Sequence, residues 1–465
     1  MSKHPVISLT VISILFMPIV ITETRKKYLI KKIYNFRREL KMLKKDKQKK
    51  ISKNSENNIV QGKTFIGTTS GRKPIYTPDD AKHIFICGTT GSGKTVALSN
   101  YIKSGVEKDY PMMIIDGKGD TGDGSIYDIV KRLKGNKRLY VVNMTNPLKS
   151  DFYNPFQGAT ATIAKDMLIN LTDWSEEHYK LNTERYLQRL LQLLVLNEAP
   201  LSFRSIIKNM SIEKFSKLSG ELSKKGIITK DEHLDNIAMS KGSGRIAESA
   251  FARFSLIAES ELGYIFNETG IDIYTALKEK AIILFILNPL IFPELSPLIG
   301  RLILIDSKKA LSNMFGNNNS RTFFIMDEIN SYASPVLIDL VNKSRSANIT
   351  CILATQSLSD LDYAVNEAFK EQIIENCNNY IVMRQNSSIN AEHWANILGT
   401  RNAMEVTYQL QQKGLNTAET GFGSAKRVRE YHYHPDDIKV LKTGQGILLS
   451  KDNHFHSRVI IYKPF

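Results

Sequence analysis

Cysteine, acidic charge and long apolar runs are what this 465-residue chain is short of. Its three cysteines, Cys87, Cys351 and Cys377, lie far apart and form no C-x-x-C pair, and the first two fall inside apolar, strand-like runs. That excludes a disulfide framework and fits buried thiols in a reducing compartment. Only one stretch, Pro5 to Thr22, is apolar and uncharged over a length approaching a bilayer. As a helix it would cover about 27 Å against a hydrocarbon core of ~30 Å, so a single membrane span is feasible. A buried core helix and a peripheral anchor are the other readings of this stretch. No repeat is evident, and with 42% hydrophobic residues the chain can bury a sizeable core across two or three domains.

The shortage of acids gives a net charge of +16, which invites a nucleic-acid reading. Its distribution weakens that argument. Residues 25–53 hold 14 Lys and Arg against Glu39 and Asp46, a local excess of +12, while Lys3 and Glu23 balance in residues 1–24, leaving +4 from Asn54 onward. The basicity belongs to a stalk behind the apolar stretch. That order is wrong for a cleaved signal peptide, and no small-x-small site precedes Arg25. It places the N-terminus outside and the bulk of the chain in the cytoplasm, with the stalk against anionic lipid head groups. Residues 49–58 read as a polar linker.

The most informative motif follows the apolar run Ile84-Phe85-Ile86-Cys87. Gly88, Gly93, Lys94 and Thr95 stand at the spacing G-x-x-x-x-G-K-[ST], with Thr89, Thr90, Gly91 and Ser92 between them. In a phosphate-binding loop the glycines let backbone N–H groups converge on a phosphate. Lys94 reaches the β and γ oxygens, and the Thr95 hydroxyl ligates Mg²⁺. ATP and Mg²⁺ are the implied cofactors. Candidate strands at 83–87, 112–115, 139–142, 281–287, 322–326, 349–354, 379–383 and 446–449 alternate with helix-length segments. This is an α/β pattern with a largely parallel sheet. Between Asn154 and about Ile271 leucines recur at three- and four-residue spacing instead, as at Leu187, Leu190, Leu191 and Leu194. That stretch reads as an α-helical insertion, which either contacts substrate or simply packs on the sheet.

Further residues complete a hydrolytic set. The run Phe323-Phe324-Ile325-Met326 ends in Asp327-Glu328, where the first acid would hold Mg²⁺ through water and the second would polarise the attacking water. Gln356, after the strand ending at Ala354, is a candidate γ-phosphate sensor or an ordinary turn residue. Asp116-Gly117-Lys118-Gly119-Asp120 either lines the nucleotide or DNA path or forms a glycine-rich turn. No arginine lies near the loop in sequence, so a finger from a neighbouring subunit is the expectation. Arg345, Arg384 and Arg401 are the candidates, with Arg384 first. The pairs His432/His434 and His454/His456 have strand spacing suited to a metal, but no cysteine or carboxylate completes a ligand set. The stretch Lys426 to Tyr431 is a phosphate-contacting ribbon or a solvated edge strand, and Lys241 to Arg245 a flexible basic loop.

Together these residues resemble the coupling-protein ATPases of bacterial conjugation and type IV secretion, the TraD/TraG group, related to FtsK/HerA DNA pumps. The carrying motifs are Gly88 to Leu98, Asp116 to Asp120, Met326-Asp327-Glu328-Ile329, Ala354-Thr355-Gln356-Ser357-Leu358 with Leu361, and Pro435-Asp436-Asp437-Ile438 with Leu441 and Gly444. The resemblance runs from about residue 60 onward. It implies a RecA-like motor domain (61–153 and 272–465) carrying an all-α domain (154–271), behind a membrane segment (1–24) and a basic stalk (25–60). It further implies a homohexamer in the bacterial inner membrane that delivers relaxase-bound single-stranded DNA to secretion-channel proteins. Three departures stand out: one candidate span where the family has two, an end at Phe465 soon after the motor core, and Gly117 where the family has proline. Two other readings fit the same residues: a double-stranded DNA pump of the FtsK/HerA kind, and a nucleotide-gated receptor that presents substrates without pumping.

Overall fold

A computed structural model describes the backbone of residues 59–80, 82–316, 320–413 and 416–465, and within these the side chains of all but 249–250 and 407–424. The apolar stretch at 5–22 and nearly all of the basic stalk lie outside the described residues. Among the described residues no helix is long and apolar enough to cross a membrane.

Among the described residues thirteen strands form: β1 (Lys63–Thr68), β2 (Pro74–Pro78), β3 (Ile84–Cys87), β4 (Met112–Asp116), β5 (Leu139–Asn143), β6 (Ile282–Ile286), β7 (Thr322–Asp327), β8 (Ile349–Thr355), β9 (Asn379–Met383), β10 (Thr400–Lys413), β11 (Asn416–Tyr431), β12 (Gln445–Ser450) and β13 (Phe455–Ile461). Eleven build one sheet in the order β2-β1-β13-β12-β9-β3-β8-β7-β4-β6-β5. From β9 to β5 every pairing is parallel, and β12, β13, β1 and β2 extend the sheet antiparallel. All eight apolar runs expected to be strands are strands of this sheet. Most parallel strands are buried along their whole length, as a sheet covered on both faces requires.

Alternation along β3 shows the two faces. Ile84 and Ile86 point to a core with Ala97, Leu98 and Ile102 of the helix Lys94–Glu107. Phe85 and Cys87 point to the opposite core, which continues without a break into Leu187, Leu190, Leu191 and Leu194. Those leucines lie on the helix Glu177–Leu196. Between β5 and β6 the chain is helical apart from two isolated bridges, Tyr153 to Phe266 and Tyr153 to Ile271, which pin together the ends of this segment.

Lys241 to Arg245 is not a flexible loop. Ser240–Gly244 is a π-helical turn that continues the helix Lys230–Met239 into Arg245–Ala258. Ser243 Oγ donates to Asn182 Oδ1 at 3.0 Å, and Gly244 packs so closely that an added Cβ would stand 3.0 Å from Ile212 Cγ1. Packing on the neighbouring helix overrides the local glycines.

Candidate active site

The carboxyl ends of the parallel strands lie along one edge, and the order β9-β3-β8-β7-β4 brings there the residues singled out above. β3 ends in the loop at Gly88, β8 in Thr355-Gln356, β7 in Asp327-Glu328, β4 in Asp116 and β9 in Met383-Arg384. In the loop Gly91 (φ +74°) and Gly93 (φ +109°) adopt left-handed backbone that favours glycine. At Gly88 an added Cβ would meet Met383 Cβ at 2.6 Å. Lys94 opens the helix Lys94–Glu107, so the helix N-terminus faces the same edge.

Lys94, Glu328, Gln356 and Thr90 form a circuit. Lys94 Nζ donates to the Gly88 carbonyl at 2.8 Å and stands 3.6 Å from Glu328 Oε1, with both side chains nearly buried. Gln356 Nε2 donates to the same Glu328 oxygen at 3.0 Å, and Thr90 Oγ1 donates to Gln356 Oε1 at 2.9 Å. Gln356 is therefore no free turn residue: it bridges the loop to the acid. Its place is fixed by the residues after it, since Ser357 and Asp360 close a capping box on the helix Leu358–Ala364 and bury Leu358 and Leu361.

Glu328 has φ 48° and ψ 53°, a left-handed conformation unusual for a non-glycine residue, at a cost of about 1–2 kcal/mol. The turn Ile329–Tyr332 holds it there, with Ser331 N–H donating to the Glu328 carbonyl at 2.9 Å. Tyr332, which nothing in the motif pattern marked, donates its buried hydroxyl to the Asp327 carbonyl at 3.1 Å. Asp327 pairs in register with Asp116 on β4. Burial, then the charges of Glu328 and Asp116, hold the Asp327 carboxyl well above the usual range. Burial likewise pushes Asp116 up to about 6, although it accepts the Lys118 N–H at 2.9 Å. Three carboxyls thus crowd an edge where Lys94 opposes them, and a divalent cation would relieve that imbalance.

The site also carries buried polar atoms without a protein partner: Glu328 Oε2, Thr89 Oγ1 and Arg384 Nε. Orphans of both donor and acceptor type at one strand edge fit a charged, polar ligand such as a magnesium-bound triphosphate. Among the described residues no group of three His, Cys, Asp or Glu is arranged to hold a metal by itself.

Of the three arginines, Arg384 has its backbone at this edge: Thr89 N–H donates to its carbonyl at 2.9 Å. The sequence distance of nearly three hundred residues hid this, because β9 is β3's neighbour only in the folded sheet. Arg345 is exposed before β8, at the opposite edge, and Arg401 faces Glu430 at 3.8 Å on the hairpin. The histidines do not pair as their spacing indicated. His432 packs against His456 with centroids 4.3 Å apart and the rings tilted by 43°, while His434 caps the helix Pro435–Lys439. Lys426 to Tyr431 is part of β11, which among the described residues pairs with β10 alone, in a two-stranded ribbon where Lys426, Arg427 and Arg429 are exposed.

This fold and loop define a P-loop α/β protein with a large, mostly parallel sheet. Residues 321–442, from β7 through the hairpin to the helix Pro435–Lys439, match the family model described as the TraM recognition site of TraD and TraG. The chain is 29% identical to an uncharacterized protein of Mycoplasma pneumoniae over 121 residues, 26% of this chain and 78% of that one. It is 24% identical to the type 4 coupling protein DotL of Legionella pneumophila over 157 residues, 30% of this chain but 20% of DotL, so the match spans about a fifth of that relative's length. The structure of the conjugative coupling protein TrwBdeltaN70 superposes with a TM-score of 0.59 at 17% identity, covering 85% of this chain and 88% of that one. Over residues 321–442 the chain is thus similar to the TraD and TraG coupling proteins, and its fold is similar to that of TrwBdeltaN70.

Proposed function

We propose that this protein is an ATPase that couples nucleotide hydrolysis to delivery of relaxase-bound DNA at a type IV secretion or conjugation channel. The observation that carries the catalytic part is the circuit in which Lys94 and Gln356 meet on one oxygen of Glu328, beneath a loop of phosphate-binding sequence. In this reading Gly88 to Thr95 cradle the phosphates, and Thr95 and Asp327 hold the Mg²⁺, which supplies charge neutralisation at the phosphoryl oxygens. Glu328 orients the attacking water and takes its proton. Gln356 reports the state of the γ-phosphate through its paired bonds to Thr90 and Glu328. Arg384 is the first candidate for the arginine finger that stabilises developing charge, supplied to a neighbouring subunit's site.

The match of residues 321–442 supports the choice of a conjugative or secretory partner over a chromosomal pump. The helical segment 154–271 serves as the all-α domain, residues 5–22 as the inner-membrane anchor, and six copies form the working ring. The direct test is hydrolysis by the full chain in detergent with no DNA, single-stranded DNA and duplex. Stimulation by single strands above duplex is the expected result. Preference for duplex would favour an FtsK/HerA-like pump. A Glu328→Gln protein that binds ATP, assembles and still supports transfer at full rate would make the protein a gated receptor and not a motor.

A further inference from the structure

The carbonyls of the phosphate loop are held from outside the loop as well as within it. Lys94 Nζ takes the Gly88 carbonyl at 2.8 Å and Ser92 N–H takes that of Thr89 at 3.0 Å. Two more, those of Gly91 and Ser92, are held from the far end of the chain. Thr443 Oγ1 donates to the Gly91 carbonyl at 2.9 Å, and Gly444 N–H donates to the Ser92 carbonyl at 2.8 Å.

In a trans peptide the C=O and the following N–H point opposite ways, so anchoring a carbonyl fixes the aim of the next donor. The Gly91–Ser92 peptide shows this: its carbonyl meets Thr443 while its N–H turns inward to the Thr89 carbonyl. By the same geometry the bond from Gly444 turns the Gly93 N–H away from β12. Loops that bind anions depend on successive N–H groups held in one concave arrangement. The Thr443–Gly444 turn is itself rigid. Gly444 has φ +77°, its carbonyl accepts Ile461 N–H from β13 at 2.8 Å, and Gly93 is so close that an added Cβ there would stand 3.3 Å from Gly444 N.

We propose that Thr443 and Gly444 are positioning residues for the phosphate loop, bracing it against the antiparallel flank β12-β13 so that its N–H groups are aimed before nucleotide arrives. The inference rests on the nucleotide-binding reading above and gives a role at that site to Thr443, which no motif marks, and to Gly444, which the motif pattern named without a role. The brace lowers the reorganisation needed on binding and acts through the loop, without touching the reacting atoms.

The experiment is a titration of the full-length protein with a fluorescent ATP analogue and Mg²⁺, alongside ATPase rates. Thr443→Val keeps the shape and removes the hydroxyl. It is expected to raise Kd roughly 3–10-fold while kcat at saturating ATP stays within about twofold, since Lys94 and Glu328 are untouched. Thr443→Ser restores the wild-type Kd. Should the valine protein be insoluble, Gly444→Ala gives the same readout: no atom lies within 4 Å of its added Cβ, so only the backbone at φ +77° is strained. An unchanged Kd in a folded Thr443→Val or Gly444→Ala protein, a serine protein no better than valine, or a loss confined to kcat would overturn the proposal. A wild-type protein that binds no Mg·ATP would overturn the nucleotide reading, and this inference with it.

Discussion

Gln356 and Glu328 are joined by a 3.0 Å hydrogen bond from Nε2 to Oε1, and the other end of the same amide accepts the Thr90 hydroxyl of the phosphate loop at 2.9 Å. The amide reads the loop with its oxygen and the acid with its nitrogen, so moving either partner shifts the other. Glu328→Gln removes the proton acceptor and keeps the shape. It is expected to lower kcat by about 10²–10⁴-fold with Kd for ATP little changed. Gln356→Ala leaves the acid in place but unoriented, and a smaller loss of about tenfold is expected, again in kcat. Steady-state rates and equilibrium binding on both variants check this. Loss of binding instead of turnover would assign these residues to ground-state contacts.

Lys94 has two jobs in the structure, one on the Gly88 carbonyl and one beside Glu328. Lys94→Ala is therefore expected to cost stability, because a nearly buried carboxylate loses the cation 3.6 Å away. It should also abolish the response to ligand. Wild-type protein gains about 2.7 kcal/mol when Mg·ATP is present at a hundred times Kd. Thermal denaturation with and without Mg·ATP separates the two effects. A ligand-induced rise in Tm that survives in Lys94→Ala would remove the lysine from the phosphate site.

The legible part of this fold was its parallel half. β4, β6, β7, β8 and β9 are buried on both faces, so each reads as a largely apolar run, and site residues stand at the ends of β4, β7, β8 and β9. Of the antiparallel flank only β12 was legible, as the run 446–449. β1, β2 and β13 bury only part of their length and mix polar residues with their strand formers, and Pro74 and Pro78 bracket β2, so no continuous hydrophobic run announces them. The acids and the loop could be paired from sequence because P-loop chemistry demands both. Arg384 and Thr443 could not be placed, since strand order, which sequence spacing does not reveal, brings β9 beside β3 and the turn before β12 onto the loop.

Gly117 stands where the resembling family has proline, and the structure gives the reason. Its N–H donates to the Asp327 carbonyl at 3.2 Å, and an added Cβ would lie 2.8 Å from the Glu328 carbonyl oxygen and 3.0 Å from that of Asp327. Both obstacles are backbone, which cannot rotate aside. Gly117→Ala is expected to destabilise by about 1–3 kcal/mol through forced displacement of the Asp327-Glu328 turn. Gly117→Pro adds the lost hydrogen bond and should lower kcat as well as Tm. Chemical denaturation and ATPase rates on the two variants test this, and an alanine protein as stable as wild type would show that the turn yields freely.

Asp306 sets the last expectation, away from the site. It is fully buried where the helical segment meets the sheet: Tyr153 donates its hydroxyl to Oδ2 at 2.8 Å, and Lys309 Nζ stands 3.0 Å from Oδ1, close enough for an ion pair but out of line for a hydrogen bond. Lys309 also donates to the carbonyls of Pro155 and Gln157, so its charge is shared. Burial therefore wins over the ion pair and raises the Asp306 carboxyl from the usual 3.8 to about 6. A raised carboxyl means the folded state holds a proton that the unfolded state has released, so this group's contribution to stability falls as pH rises from about 4 through about 6 and levels off above about 7. Asparagine does not titrate. The stability of wild type relative to Asp306→Asn should thus decline by about 2 kcal/mol between pH 4 and 6 and change little from pH 7 to 8. Paired denaturation curves at pH 4, 5, 6 and 7 measure it. A difference that stays flat from pH 4 to 7 would mean that Lys309 and Tyr153 offset the burial completely and the carboxylate is charged throughout.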